Sequence, residues 1–569
     1  MLVCGVRRSS AAGIGLVAEK ALISTAGRQN SGETLVGYGR HQEYIMTTLM
    51  PHFRAHSAPS ADFKDPFTRS SKRRRSVVLA ALMVASLTGI STTAQAAPSH
   101  NGLRDTAGAP GSGDPYFPYA GNGGYDVLHY DLDLRYAPPS NPAVLQGHLT
   151  GTATITLQAT EDLDSLNFDL RGLEVTAVSI DGEDAKHGKA HDGGPSDWAQ
   201  VQDDAHRVWE LTIGLQPGLD AGEIATIVVE YGGVTGRPAD TTGALYGWVT
   251  TADGALVVNE PDGAPTWYPV NDDPEDKATY AFRITVPAGK TAVANGLLDK
   301  RPETEAGWTT WTWTAADPMA SYLSTASVGD FALSYDVGPR RMPIINAIEA
   351  GVTGEALVQT KAALALQPDM ISFLEDLFGR YPFEAFGAIV DDDSVDYALE
   401  TQTRPVYSGV ADELTVVHEL GHQWFGNSVS SADWQHIWLN EGWATYVEWL
   451  WAEHQGSGTV AQQFAKSVAF LDANNRWALN IADPGRDNLF AGPVYQRGGA
   501  ALHALRAKIG DEAFFAGARL WLARYDDSSA TTDDFQSVME EASGEQLDHF
   551  FNDWLREGDR PAMPSAAVG

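Results

Sequence analysis

The segment His418-Glu-Leu-Gly-His422 places two histidines four residues apart, with a glutamate directly after the first. On an α-helix, residues i and i+4 lie on the same face, so both imidazoles can reach one metal ion. Histidine is rare in this chain, with 15 among 569 residues, which makes the spacing informative. The pattern predicts a metal-binding helix over residues 412–425. The alternative is a helix whose two histidines only pack in a protein core.

A catalytic zinc ion takes about four ligands, one of which is water, so this helix needs a third protein ligand from elsewhere. The only cysteine, Cys4, lies near the N-terminus, so that ligand must be His, Asp or Glu. Glu441 follows His422 by 19 residues, inside Trp438-Leu-Asn-Glu-Gly-Trp-Ala-Thr-Tyr446. The spacing allows the first helix to end, the chain to turn and a second helix to begin. We therefore predict one Zn²⁺ ion held by His418, His422 and Glu441.

Glu419 lies about 100° around the predicted helix from His418, beside the metal rather than on it. This position suits a general base that takes a proton from zinc-activated water. Thr445, one turn after Glu441, is either a hydrogen-bond partner of the site or an ordinary helix residue.

The two halves of the chain follow different periods. From about Tyr116 to Asp336, apolar and polar residues mostly alternate, as in Gly151-Thr-Ala-Thr-Ile-Thr-Leu157, and turn residues separate the segments. Later segments such as Glu355–Gly379 have helical periodicity. The expected fold is multidomain α+β, with a β-rich N-terminal domain over residues 115–339 and a mainly helical catalytic domain over residues 340–569.

The N-terminal region has the pattern of an export signal. A basic cluster at Arg69–Arg75 precedes the apolar run Val77–Ile90 and then Ala94-Gln-Ala96. This order predicts residues 1–96 to be a leader with a secretory signal peptide, and the protein to be secreted. A short membrane anchor is the alternative, and a twin-arginine signal is a second possible export route. Residues 97–114, rich in Gly, Pro and Ser, are expected to form a flexible linker.

Composition excludes several classes of partner. Apolar residues make up 43% of the chain and aromatic residues 10%, enough for sizeable cores. The formal net charge of −35 disfavours binding to nucleic acid or to anionic lipid. No apolar run reaches 18 residues, so we expect no stable membrane insertion once the signal is removed.

The segments HELGHQWFGN (His418–Asn427) and WLNEGWATYVE (Trp438–Glu448) resemble the aminopeptidase N, or membrane-alanyl-aminopeptidase, family of zinc peptidases. The resemblance covers about residues 120–560. It implies a thermolysin-like catalytic domain after a β-rich, saddle-like domain, and peptide substrates with a free N-terminus. Only 128 residues follow Glu441, so the long helical C-terminal domain of larger members is expected to be absent, with a more open cleft.

The resemblance also implies roles for three further residues. Family members bind the substrate's N-terminus with a Gly-Ala-Met-Glu-Asn type strand, and the matching stretch here is Tyr397-Ala-Leu-Glu-Thr401. It keeps the glutamate as Glu400 but differs at the first Gly, the Met and the Asn. Glu260 matches a second residue that contacts the substrate's N-terminus. Tyr495 matches the tyrosine that stabilises the transition state.

Three functions are therefore compared. The first is a secreted zinc aminopeptidase. The second is a zinc endopeptidase, which the altered Tyr397–Thr401 segment and the open cleft would allow. The third is a non-catalytic binding module built on the β-rich domain.

Overall fold

The computed structural model describes residues 107–188, 196–240, 242–392 and 394–564. The predicted leader, residues 1–96, lies outside these ranges, so secretion stays a prediction. None of the helices within the described ranges is long and apolar enough to cross a membrane.

The first half of the described chain is built from strands. Residues of the two 13-residue strands that open it alternate between buried and exposed, as the period of a strand requires. The strands are β1 (Tyr125–Ala137), β2 (Gly147–Ala159), β3 (Leu163–Asp169), β4 (Glu174–Ile180), β5 (Glu183–Asp184), β6 (Lys186–His187), β7 (Asp197–Gln200), β8 (Glu210–Leu219), β9 (Ile224–Thr235), β10 (Gly247–Thr250), β11 (Ala255–Val258), β12 (Lys277–Pro287), β13 (Thr291–Ala294), β14 (Leu297–Leu298), β15 (Glu303–Glu305), β16 (Trp308–Ala320) and β17 (Ala326–Gly329).

These strands form one large sheet and two smaller ones. The large sheet has the order β14-β16-β12-β1-β2-β9-β4-β5, with β15 added to β16. The smaller sheets have the orders β10-β11-β17-β13 and β3-β8-β7-β6. β1 and β12 pair in parallel, while β2 pairs antiparallel with both β1 and β9. Inward-facing residues of the large sheet, such as Leu132 and Ile155, are completely buried. The prediction of a β-rich N-terminal domain is confirmed.

The second half is mainly helical and carries a five-stranded mixed sheet and a two-stranded parallel sheet. Its strands are β18 (Phe331–Val337), β19 (Pro343–Glu349), β20 (Phe386–Asp391), β21 (Ala398–Leu399), β22 (Val406–Ser408), β23 (Val429–Ser431) and β24 (Ser528–Ala530). Its helices are α1 (Gly354–Leu364), α2 (Gln367–Phe378), α3 (Glu413–His422), α4 (Trp438–His454), α5 (Val460–Asp472), α6 (Gly492–Ile509), α7 (Asp511–Arg524), α8 (Thr532–Ser543) and α9 (Asp548–Phe551).

The mixed sheet has the order β18-β19-β20-β22-β21, and β23 and β24 form the two-stranded parallel sheet. β18 lies ahead of the boundary predicted near residue 340, yet it pairs along its whole length with β19. The sheet of the helical half therefore begins at Phe331, while the domain boundary itself stays a prediction. The short strand β21 lies at the edge of this sheet and leads directly into Glu400.

The prediction of helical structure over Glu355–Gly379 as a single segment is wrong in one respect. The structure has two helices there, α1 and α2, with a break between them. Pro368 lies in the first turn of α2, where its missing N–H leaves no hydrogen bond unmade. A proline at this place favours a new helix start over continuation of the preceding helix.

The end of the predicted flexible linker is held by hydrogen bonds. The carboxylate of Asp114 accepts from the backbone N–H groups of Tyr116 and Phe117, at 2.7 and 2.8 Å. Its second oxygen accepts from the backbone N–H of Trp434, at 2.9 Å. Asp114 thus joins the start of the β-rich half to the helical half.

Candidate metal centre and active site

Helix α3 carries the two histidines and has a well-defined start and end. The side chain of Asp412 accepts hydrogen bonds from the backbone N–H groups of Leu414 and Thr415, both at 3.1 Å, and so caps the helix. The helix ends at His422, and Gly426 takes a φ of +127°, which favours glycine and lets the chain turn back. The buried helix α4 then carries Glu441.

The three predicted metal ligands lie together. The Nε2 atoms of His418 and His422 are 3.4 and 3.5 Å from the same oxygen, Oε2 of Glu441. Ligand atoms at 2.0–2.1 Å from a tetrahedral ion lie about 3.3–3.4 Å apart, so these separations fit zinc. All three side chains are almost completely buried. Two imidazoles and one carboxylate are also the donor set of catalytic zinc sites.

The other ring nitrogen of each histidine has its own acceptor. Nδ1 of His418 lies 2.6 Å from Oε1 of Glu448, and Nδ1 of His422 lies 3.2 Å from the carbonyl oxygen of Phe425. A proton on Nδ1 leaves the Nε2 lone pair directed at the metal position, so these contacts select the tautomer that binds metal.

Glu448 was not predicted as part of the site. It follows Glu441 by seven residues, which is two helical turns, so both carboxylates lie on one face of α4. That spacing was the available sequence signal. Thr445, for which two roles were open, makes no hydrogen bond through its hydroxyl to any described residue.

Replacing Glu448 by Gln is expected to weaken zinc binding by about 10- to 100-fold, because the amide is a poorer acceptor for the His418 N–H. Competition with a chelator measures the zinc affinity directly. Glu453→Gln is the matched control on the same helix, because the Glu453 carboxylate accepts only from the backbone N–H of Val460 among the contacts that the structure describes. Equal zinc affinity in the Glu448 variant and the control would contradict this role.

Three further buried carboxylates surround the metal ligands. Oxygens of Glu400 and Glu419 and a ring nitrogen of His422 all lie within 4.8 Å of one another. Burial raises the pKa of Glu419 to about 7, although the neighbouring imidazoles lower it. Burial and the nearby carboxylate of Glu400 raise the pKa of Glu260 well above its ordinary value. Neither oxygen of Glu260 has a hydrogen-bond partner among the described residues. Such a group of buried carboxylates is suited to bind a cation.

Contacts from both halves of the chain hold the Glu400 backbone in place. Its carbonyl oxygen accepts from Nε2 of Gln423 at 3.1 Å and from Nδ2 of Asn427 at 2.8 Å, both at the end of the metal-binding helix. From the β-rich half, Nδ2 of Asn295 donates to the carbonyl oxygen of Gln402 at 2.7 Å. Strand β21 ends at Leu399, and beyond it the carbonyl oxygens of Glu400 and Gln402 accept from side chains.

Glu260 reaches the site from the β-rich half. Its neighbour Asn259 is completely buried, donates to the carbonyl oxygen of Ser324 at 2.6 Å and accepts from Nε1 of Trp267 at 3.1 Å. These contacts fix the backbone on which Glu260 is carried. The structure therefore brings Glu260 and Glu400 together from different halves of the chain.

Tyr495 lies in the first turn of α6, which begins at Gly492. Its ring is 4% exposed and stacks near that of His418, with centroids 6.2 Å apart. Burial, together with the nearby carboxylates of Glu441 and others, raises its pKa well above the ordinary value, so the phenol keeps its proton.

The close packing of α4 and α6 explains how Tyr495 reaches the metal ligands. A Cβ placed on Gly442 would lie 2.9 Å from Cα of Gly498, and one on Gly498 would lie 2.7 Å from Cα of Gly442. Only two glycines at this crossing allow the helix backbones to approach so closely. The structure thus brings together all seven residues predicted for the site, namely Glu260, Glu400, His418, Glu419, His422, Glu441 and Tyr495.

Comparison with known proteins agrees with this arrangement. The model described as the Peptidase M1 N-terminal domain matches residues 127–323, and the Peptidase family M1 domain matches residues 373–554. The chain is 24% identical to glutamyl aminopeptidase of Sus scrofa over 473 residues, which are 77% of this chain and 48% of the relative. It is 26% identical to aminopeptidase N of Lactococcus lactis subsp. lactis over 457 residues, 74% of this chain and 50% of the relative. The chain spans about half the length of these curated relatives.

Among solved structures, the match extends over the full length of the similar protein. A mutant of the M1 zinc metallopeptidase from Deinococcus radiodurans superposes with a TM-score of 0.71 at 29% identity, covering 80% of this chain and 100% of its own. A second structure of that mutant, bound to the substrate Tyr-Ser-Ala, has the same TM-score and identity and covers 80% of this chain and 99% of its own. The two family models together match more than half of the chain, in the order and at the residues where the two halves of the fold occur. The chain therefore belongs to peptidase family M1.

Proposed function

We propose that this protein is a zinc-dependent aminopeptidase that hydrolyses the first peptide bond of peptides with a free N-terminus. The observation that carries this proposal is the buried pair Glu260 and Glu400 beside the His418, His422 and Glu441 metal centre. An α-ammonium group is the cation that such a pair selects at a peptide-hydrolysing site. The names of the relatives and the substrate-bound structural neighbour support the same substrate class.

The proposed reaction divides the work among the residues of the site. When bound, zinc acts as a Lewis acid that polarises a carbonyl group and acidifies water. Glu419 takes the proton of the attacking water and later delivers it to the leaving amine. The hydroxyl of Tyr495 donates a hydrogen bond to the oxyanion that develops on the peptide carbonyl.

Glu260 and Glu400 determine which bond is cleaved. Charge-assisted hydrogen bonds from the α-ammonium to the two carboxylates hold the substrate's first residue. Glu400 lies within 4.8 Å of a ring nitrogen of His422, and the carboxylate of Glu260 interacts with those of Glu400 and Glu441. An ammonium held by this pair therefore places the first peptide bond at the reacting groups. A peptide without a free amine loses these bonds and leaves both carboxylates buried without a cation.

Acetylation of the substrate's N-terminus is expected to lower kcat/KM by about 100-fold or more, because each hydrogen bond to a charged group contributes about 1.5–3 kcal/mol. The measurement compares one tripeptide with its N-acetyl form, using mass spectrometry to identify the bond cleaved. Undiminished cleavage of the acetylated peptide would favour the endopeptidase alternative. Absence of zinc-dependent cleavage of either peptide would favour the non-catalytic binding module.

A further inference from the structure

The loop after α3 presents four consecutive backbone carbonyl groups, and a side chain donates to each of them. The donors and acceptors are His422 Nδ1 to Phe425 O at 3.2 Å, Tyr322 Oη to Gly426 O at 2.9 Å, Lys277 Nζ to Asn427 O at 2.9 Å, and Lys277 Nζ to Ser428 O at 2.8 Å. Two of the donors, Tyr322 and Lys277, come from the β-rich half of the chain. The N-terminal half therefore holds the loop that leaves the metal-binding helix.

Lys277 makes the larger share of this contact. It is the first residue of β12, in the large sheet, and its Nζ bridges two adjacent carbonyl oxygens. Burial lowers the pKa of Lys277 to about 7, so the strength of this contact rests on the number of bonds and not on charge. Two hydrogen bonds to adjacent carbonyls restrain the loop more than the single bond from Tyr322 does.

The same loop also holds the backbone of Glu400, whose carboxylate belongs to the proposed substrate site. The side chain of Asn427 donates to the carbonyl oxygen of Glu400 at 2.8 Å, while its own carbonyl accepts from Lys277. A shift of the Asn427 backbone would therefore be transmitted to Glu400. At the other end of the loop, the carbonyl of Phe425 contacts the ring of His422, a predicted metal ligand.

We propose that Lys277 is a positioning residue through which the N-terminal half sets the place of Glu400 relative to the metal centre. The hydrogen bonds that the structure describes for Lys277 go to the carbonyls of Asn427 and Ser428 and not to a predicted metal ligand, so it acts through these carbonyls. This inference rests on the proposed function, in which Glu400 binds the substrate's ammonium group. The contact also gives a reason why both halves are needed, because the catalytic half alone would lack the restraint from Lys277.

The test replaces Lys277 by Met, which keeps the length of the side chain and removes both hydrogen bonds. For an aminoacyl-anilide with a free amine, KM is expected to rise about tenfold, with a smaller fall in kcat, because a displaced Glu400 weakens ammonium binding first. Lys277→Arg keeps N–H donors at the end of a long side chain and is expected to recover most of the loss in KM. Zinc content is expected to equal that of the wild type in both variants.

Lys290→Met is the matched control. Lys290 lies in the same half and loses its own contacts, with Asp253 at 2.8 Å and Asp330 at 2.9 Å, none of which reaches the loop after α3. Its KM is expected to stay at the wild-type value. A comparable rise in KM in both variants would overturn the proposal, since loss of stability in this half would then explain the effect.

Hydrogen exchange provides a readout that needs no activity. In Lys277→Met, amides of residues 424–430 and 398–402 are expected to exchange faster than in the control, while the rest of the catalytic half is unchanged. Wild-type exchange in both segments, or faster exchange everywhere with an unchanged KM, would overturn the positioning role. If the wild-type protein does not hydrolyse the anilide, the proposed function fails, and the exchange data still decide whether Lys277 restrains Glu400.

Discussion

Replacing Glu419 by Gln is expected to lower kcat/KM for free-amine peptides by about 1,000-fold or more, with zinc content equal to that of the wild type. The amide has the same shape as the carboxylate but cannot accept the proton of the attacking water. General acid–base catalysis contributes about 10²- to 10⁴-fold. Glu419 is buried beside His418, with oxygens within 4.8 Å of Glu400 and of a His422 ring nitrogen, so a replacement base cannot easily enter.

The measurement is the initial rate of aminoacyl-anilide hydrolysis, together with zinc content by atomic absorption. Glu413→Gln is the matched control, because Glu413 lies on the same helix and its Oε1 accepts from Nε1 of Trp451, at 2.8 Å. The control is expected to keep activity within a few-fold of the wild type. A Glu419→Gln variant as active as this control would exclude Glu419 as the general base.

Replacing Tyr495 by Phe is expected to lower kcat by about 100- to 1,000-fold with little change in KM. Loss of one donor to a developing oxyanion has an effect of this size, because the bond is strongest in the transition state. The buried ring, packed near His418, is retained in the variant, so the metal site is expected to keep its geometry. Steady-state kinetics that separate kcat from KM provide the check.

Tyr446→Phe is the matched control for Tyr495. Tyr446 is also buried, but its hydroxyl contacts Nδ1 of His503 at 3.4 Å and a guanidinium nitrogen of Arg506 at 3.3 Å, and neither residue belongs to the predicted site. The control is expected to retain its kcat. A rise in KM alone in the Tyr495 variant would instead indicate a substrate-binding role.

Local pattern was sufficient to predict much of this fold. Apolar and polar residues alternate strictly over Gly151–Leu157, a pattern that buries one face of a strand. The structure places this segment within β2. The four-residue spacing of His418 and His422 requires a helix if both are to bind one ion, and Asp412 supplies its cap. These predictions succeeded because the relevant contacts lie within a few residues along the chain.

Predictions failed where a boundary or a partner depends on distant contacts. Periodicity continued across Pro368, so α1 and α2 were predicted as one helix. The spacing from Glu441 to Glu448 places both residues on one face of α4, but spacing alone does not separate Glu448 from Thr445, one turn after Glu441. Only the packing of α3 against α4 selects Glu448.

Residue types and short spacings were thus sufficient to predict the metal ligands, the glutamate beside them and the two-part architecture, since these predictions depend mainly on the local geometry of helices and strands. Long-range packing established the rest. It brought Glu260 from the β-rich half to Glu400, and it placed Tyr495 beside His418 through the glycine crossing of α4 and α6. It also joined Lys277 to Asn427, 150 residues apart in sequence, because this side-chain nitrogen and this carbonyl meet only when the two halves are packed together.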